Sequence, residues 1–155
     1  MDNYAFTFRD YVIFAIKPVF EKIMLILKSA ISKKIIKHCK KYFPEEACGI
    51  LAGNKDKIEI VYPMNNTDKS PMSYFMDPKE QLRAMKDIRE QGLEMLAIYH
   101  SHSFSHAYPS KKDVELAFYP DVSYVIISLA DKKLPVIRSF KIQEGNIKEE
   151  EVRIE

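Results

Sequence analysis

Two histidines one residue apart, His100 and His102, are followed eleven residues later by Asp113. In an extended segment the side chains at i and i+2 point the same way, so both imidazoles can converge on one ion. Asp113 falls on the first turn of a short helix opening at Ser110, where its carboxylate can complete the set. Two nitrogens, one oxygen and a vacant fourth position match a catalytic rather than a structural zinc site. A ligand set without thiolates leaves iron and manganese open at this stage. Each residue taken singly has a plainer explanation, since a lone histidine is ordinarily a polar surface or core residue. Ser110-Lys111-Lys112-Asp113 is also a capping box for its helix. Jointly the plainer explanation fails: with this composition, His-x-His-x7-Ser-x2-Asp is expected by chance about 0.0004 times.

The elements around these residues are regular. A buried strand, Met95–Tyr99, delivers the histidines, and the helix from Ser110 runs to about Phe118. Val122–Leu129 is the next buried strand, with Val136–Ile142 and Val152–Ile154 completing a sheet. Upstream, Ile23–Lys28 reads as a strand. A helix to about Tyr42 follows, capped by Ser29 or Ser32, with Ile31, Ile35 and Cys39 inward at four-residue spacing. Lys33, Lys34, Lys37, Lys40 and Lys41 form its solvated face, and Pro44 ends it. Gly49–Ala52 and Lys57–Tyr62 form a hairpin around residues 53–56. A second helix opens with Asp77 at the N-cap, Pro78 in the first turn and Glu80 placed for a capping box. Its inward residues are read as Leu82, Met85 and Ile88, and Gly92 stops it. Helices interleaved with strands, then strands alone, predict an α/β fold: a mixed sheet with packed helices. Residues 1–23 read as an N-terminal extension of uncertain role, and residues 24–155 as the domain.

The segment from His100 to Asp113 resembles the signature of the JAMM (MPN-plus) zinc metalloproteases, compact prokaryotic type. That family carries a glutamate three residues before a glycine, at the junction of its first helix and second strand. Pro44-Glu45-Glu46-Ala47-Cys48-Gly49 is similar, which maps the catalytic carboxylate to Glu46, with Glu45 one residue off. The resemblance covers about residues 24 to 154 and implies the cytidine-deaminase-like MPN/JAMM fold. It implies one zinc per chain held by His100, His102 and Asp113, with Glu46 as general base and Ser110 as oxyanion donor. It also implies hydrolysis of the amide bond after the C-terminal Gly-Gly of a ubiquitin-like or sulfur-carrier protein, in a protein conjugate or an amino-acid adduct. Such a thin tail is expected to bind as an added strand beside a sheet edge. One departure is Ser103, where members often have proline, followed by Phe104-Ser105-His106. His106 reads as a loop or substrate-contacting residue, since a fourth protein ligand would close the position a water needs.

Composition narrows the field further. With 46% hydrophobic and 30% charged residues the chain reads as an ordinary globular protein, and a net charge of +2 gives no footprint for nucleic acid. The apolar runs at residues 11–16 and 23–27 are far shorter than the ~20 residues needed to span a bilayer, so no membrane partner is expected. Two cysteines, Cys39 and Cys48, make no disulfide framework. The expected location is cytoplasmic. A non-catalytic MPN-type scaffold is the alternative reading, although such members lack the ligands present here. A zinc nucleobase deaminase needs a Cys-x-x-Cys, and none exists in the chain.

Overall fold

The computed structural model describes residues 24–155; the expected extension at 1–23 lies outside the described residues. The elements are β1 (Met24–Leu27), α1 (Ser29–Tyr42), β2 (Cys48–Asn54), β3 (Lys57–Met64), α2 (Pro78–Glu90), β4 (Glu94–His102), α3 (Lys111–Glu115), β5 (Ser123–Ser128), β6 (Val136–Gln143) and β7 (Asn146–Ile154). Their order is the one the sequence patterns predict. The strands run β1-β3-β2-β4-β5-β6-β7 and close into a barrel. Closure comes from a parallel pairing of β1 with β7, Met24 to Leu27 against Glu151 to Ile154. No sequence pattern announces this pairing, and among the described residues it leaves neither terminal strand free for an incoming tail. β4 pairs antiparallel with β2 and parallel with β5, which makes the sheet mixed and puts the histidine strand at its centre.

Alternation along the central strands divides the core in two. Ile50, Ile98 and Ile126 point to the side where α2 packs, with Ala84 and Ile88. Leu51, Ala97, Tyr99 and Val125 point to the other side, where α1 buries Ile35 and Cys39. Neighbouring residues of one strand therefore serve different cores. Gly49 belongs to this arrangement through close approach. A Cβ built there would lie 2.4 Å from the Tyr62 carbonyl oxygen and 2.5 Å from the Tyr99 ring.

Four local expectations are corrected. Neither Ser29 nor Ser32 caps α1: Lys28 holds the N-cap position without a side-chain bond. β1 leads into the helix through this single residue, and the Ser29 amide donates instead to the Glu155 carbonyl at 2.6 Å. In α2 the Asp77 cap stands, accepting from Lys79 N and Glu80 N. Glu80 does not close a capping box; its carboxylate accepts from Asn65 N and Asn65 Nδ2 at 2.7 and 2.6 Å. Leu82, read as inward, is 70% exposed, while Ala84 and Ile88 are buried. Leu82 stands about 200° around the helix from Ala84, so a stripe set by Ala84 and Ile88 turns it outward. The helix from Ser110 ends at Glu115, short of Phe118.

Candidate metal centre

β4 ends at His102, and its last residues bring the two histidines to one face. His100 Nε2 lies 3.1 Å from His102 Nε2. Asp113, on the first turn of α3, places Oδ1 3.2 Å from His100 Nε2 and Oδ2 3.2 Å from His102 Nε2. Among the described residues these three form the group of side chains able to hold a metal ion. The hydrogen-bond pattern fits a cation at their centre. His102 Nδ1 faces the His106 carbonyl at 2.8 Å, which fixes the proton on Nδ1 and turns the Nε2 lone pair inward. His100 Nδ1 is buried without a partner. Two imidazole nitrogens and two carboxylate oxygens turned on one point suit a cation, which accommodates the inward lone pairs together; with His100 Nε2 so engaged, its ring proton sits on Nδ1.

Electrostatics point the same way. Burial lowers His100 and favours the neutral imidazole, partly opposed by Asp113. His102 is pulled down by burial, but the bonds to Asp113 and the His106 carbonyl outweigh it and the net shift is upward. Burial alone would raise Asp113; the hydrogen bonds from both imidazoles overcome it and hold the carboxyl well below the usual range. A permanently ionised carboxylate between imidazoles is the state a metal site needs.

Glu46 enters through strand register. Cys48 pairs with His100 in the β2–β4 ladder. Ser101 N donates to the Ala47 carbonyl at 2.9 Å, so the pairing continues one residue beyond β2. Carried one step further, it sets Glu46 opposite His102, on the same face as both histidines. Glu46 is 5% exposed. Burial pushes its carboxyl up to about 7, against the pull of His102. Glu45, the neighbour one residue off, is half-buried.

Ser110 caps α3 through a reciprocal box: its Oγ accepts from Asp113 N at 3.1 Å, and Asp113 Oδ2 accepts from Ser110 N at 2.7 Å. As an acceptor in the cap, the hydroxyl keeps its own proton free to donate, and the residue is exposed. Structural and catalytic duties are therefore compatible in one side chain. His106 is exposed and contributes its backbone carbonyl to His102 Nδ1.

Several neighbours had no sequence signal. Tyr74 stacks on His100 with centroids 4.5 Å apart. It also forms the inner wall of an apolar cleft of about 170 Å³ shared with Phe75, Leu116 and Phe118. Ser101 Oγ accepts from Ala47 N at 2.8 Å, and Ser103 Oγ donates to the Pro44 carbonyl at 2.7 Å. The serine standing where members often have proline thus ties the histidine loop to the Glu46 loop. Among the described residues no helix is long and apolar enough to cross a membrane.

Residues 28–143 match the family of prokaryotic homologs of the JAB domain. The chain is 36% identical over 133 residues to the CysO-cysteine peptidase of Mycobacterium tuberculosis, covering 84% of this chain and 91% of that protein. It is 37% identical over 109 residues to a probable TtuB-protein conjugate cleaving protease of Thermus thermophilus, covering 70% and 69%. The solution structure of a Desulfitobacterium hafniense protein superposes with a TM-score of 0.79 at 43% identity, covering 85% of this chain and 93% of that one.

Proposed function

The chain belongs to the prokaryotic JAB-domain family, and from that membership we propose that it is a zinc-dependent peptidase or isopeptidase. Its substrate is a ubiquitin-like or sulfur-carrier protein, cut at the amide bond after a C-terminal Gly-Gly. The observation that carries this reading is the meeting of His100, His102 and Asp113 within hydrogen-bond distance of one another, with Glu46 opposite His102 in the strand register. The Mycobacterium tuberculosis relative, matched over the larger share of the chain, is named for a cysteine adduct. That favours an amino-acid adduct as the first substrate to try. We place the reaction in the cytoplasm.

His100, His102 and Asp113 would hold the zinc, each giving one atom. When bound there, zinc supplies Lewis-acid polarisation and brings the pKa of a water to about 7. Glu46 takes the proton of the attacking water and hands it to the departing amine. Its burial keeps the carboxyl near neutrality and able to move a proton in both directions. The Ser110 hydroxyl donates to the carbonyl oxygen as negative charge grows on it, and losing such a donor commonly costs about 100- to 1,000-fold in rate.

The test follows a Gly-Gly modifier joined through an amide to cysteine, and in parallel to a lysine side chain, by intact mass. Wild type releases the modifier ending in Gly-Gly. Glu46→Gln keeps its metal and loses about 100- to 10,000-fold in rate, while Glu45→Gln keeps most of the activity; the reverse pattern moves the base by one residue. A tail of Ala-Gly should be cut on the order of 100-fold more slowly, because an added methyl displaces the carbonyl by about 1 Å. Equal rates for the two tails, or ready cutting of an unstructured casein chain, would point to a general peptidase.

A further inference from the structure

Asn66 is the second residue of the segment between β3 and α2, is 7% exposed, and spends its whole side chain on that segment and on Glu46. Nδ2 donates to the carbonyls of Glu46 and Ser73, both at 2.9 Å. Oδ1 accepts from the amides of Asp68 and Phe75, both at 3.0 Å. A side-chain amide has two donors and two lone pairs, so every position is used. The Glu46 amide donates in turn to the Ser70 carbonyl at 2.8 Å. The segment therefore grips the backbone of Glu46 on both sides, at its carbonyl through Asn66 and at its amide through Ser70. Tyr74, which stacks on His100, belongs to the same segment.

Glu46 needs this grip because it lies outside the ladder. β2 begins at Cys48, and register alone fixes a residue's face without fixing its distance from the opposing strand. We propose that Asn66 is a positioning residue that sets the backbone of Glu46 against the histidine strand and so aims the Glu46 carboxyl at the reacting water. It acts through Glu46 and touches neither substrate nor metal. The proposal rests on the reading of Glu46 as the proton carrier.

Asn66→Asp is the informative variant. It keeps the shape and an oxygen for the Asp68 and Phe75 amides, but replaces both donors with an acceptor, so the Glu46 and Ser73 carbonyls lose their partner. Thr67→Ala is the control, since it removes a bond to the Phe75 carbonyl, at 3.1 Å, that does not involve Glu46. Asn66→Ser, which retains one donor, serves if Asn66→Asp does not fold.

Hydrogen exchange in the zinc-loaded protein is the first readout. Asn66→Asp should speed exchange of the Glu46 amide by about tenfold or more while β4 amides stay protected, and Thr67→Ala should leave Glu46 unchanged. Kinetics on the Gly-Gly cysteine adduct are the second. The expected result is a fall in kcat of about 10- to 100-fold with KM within about threefold, at unchanged zinc content. In a Glu46→Gln background the same substitution should cost less than about threefold, because residues that act as a unit are not additive. Unchanged exchange at Glu46 overturns the proposal. So does a full additive loss in the Glu46→Gln background, or a rise in KM with kcat intact. A wild-type enzyme that leaves the adduct whole removes the hydrolysis reading instead, and exchange at Glu46 then decides the positioning alone.

Discussion

Replacing Glu46 with glutamine should stabilise the metal-stripped protein above neutral pH and have little pH-dependent effect below pH 4.5. Glu46 is buried, and burial moves its carboxyl from 4.5 to about 7. Between those values the folded protein holds a proton that the unfolded chain has released. Stability therefore falls with rising pH across that window, since the unfolded state binds fewer protons there. The loss begins as pH passes the unfolded value and is complete once pH exceeds the folded one. At 1.36 kcal/mol per pKa unit the shift sets a ceiling of roughly 3 kcal/mol. Relaxation and water entry around a buried charge reduce it, and about 2 kcal/mol is the working figure. Glutamine at the same place carries no charge at any pH and escapes this loss. The assay is urea unfolding of both proteins after chelation, followed by far-UV circular dichroism from pH 4 to pH 8. The expected curve is a difference between variant and wild type that grows with pH by about 2 kcal/mol and levels off above pH 7. A difference that stays flat within about 0.5 kcal/mol, or that shrinks with pH, would refute the buried-carboxyl argument. Histidines titrate in both proteins, so they largely cancel in the comparison.

Protein purified without chelator should carry about one zinc per chain by elemental analysis, and His102→Ala or Asp113→Ala should lose most of it. Unchanged zinc in both variants would remove the assignment. Gly49→Ala should lower stability by about 2 to 4 kcal/mol, because the new methyl meets backbone and a rigid ring instead of a flexible chain end. A melting temperature within about 2 °C of wild type would show that β2 and β4 give way more easily than their packing implies. A chain begun at Met24 should keep its fold and activity, since every described element and every site residue lies beyond it; a large fall in melting temperature would contradict this.

The parts of the fold that could be read in the sequence are those whose signal is local. The alternation through Met95–Tyr99 and the i, i+2 spacing of His100 and His102 place both imidazoles on one face without knowledge of any partner strand. The Asp77-Pro78 opening fixes the start of α2 for the same reason. Leu82 was misread because side-chain hydrophobicity and inward direction differ: Ala84, small and one turn from Ile88, marks the true stripe. Barrel closure was not readable at all. It depends on β1 meeting β7 across more than a hundred residues of chain, and neither strand carries a pattern naming the other. Asn66 is the same problem at side-chain scale, since a lone asparagine after a strand reads as a turn residue.

The strand that holds His100 and His102 shows how far alternation can be taken. Even positions, His100 and His102, meet Asp113, and the register that pairs Cys48 with His100, carried on, sets Glu46 opposite His102. Odd positions face the other way, and each meets the neighbouring strand or its approach. Tyr99 lies across Gly49, Ser101 accepts from Ala47 N, and Ser103 reaches the Pro44 carbonyl. The residues interleaved with the two histidines therefore fasten the chain that carries Glu46, from the opposite face. Losing the Ser101 hydroxyl strands the Ala47 amide in a buried place, at a cost of about 1 to 3 kcal/mol. The His100–His102–Asp113 group thus draws on one face of β4, while the backbone at and beside Glu46 is held by its other face together with Asn66.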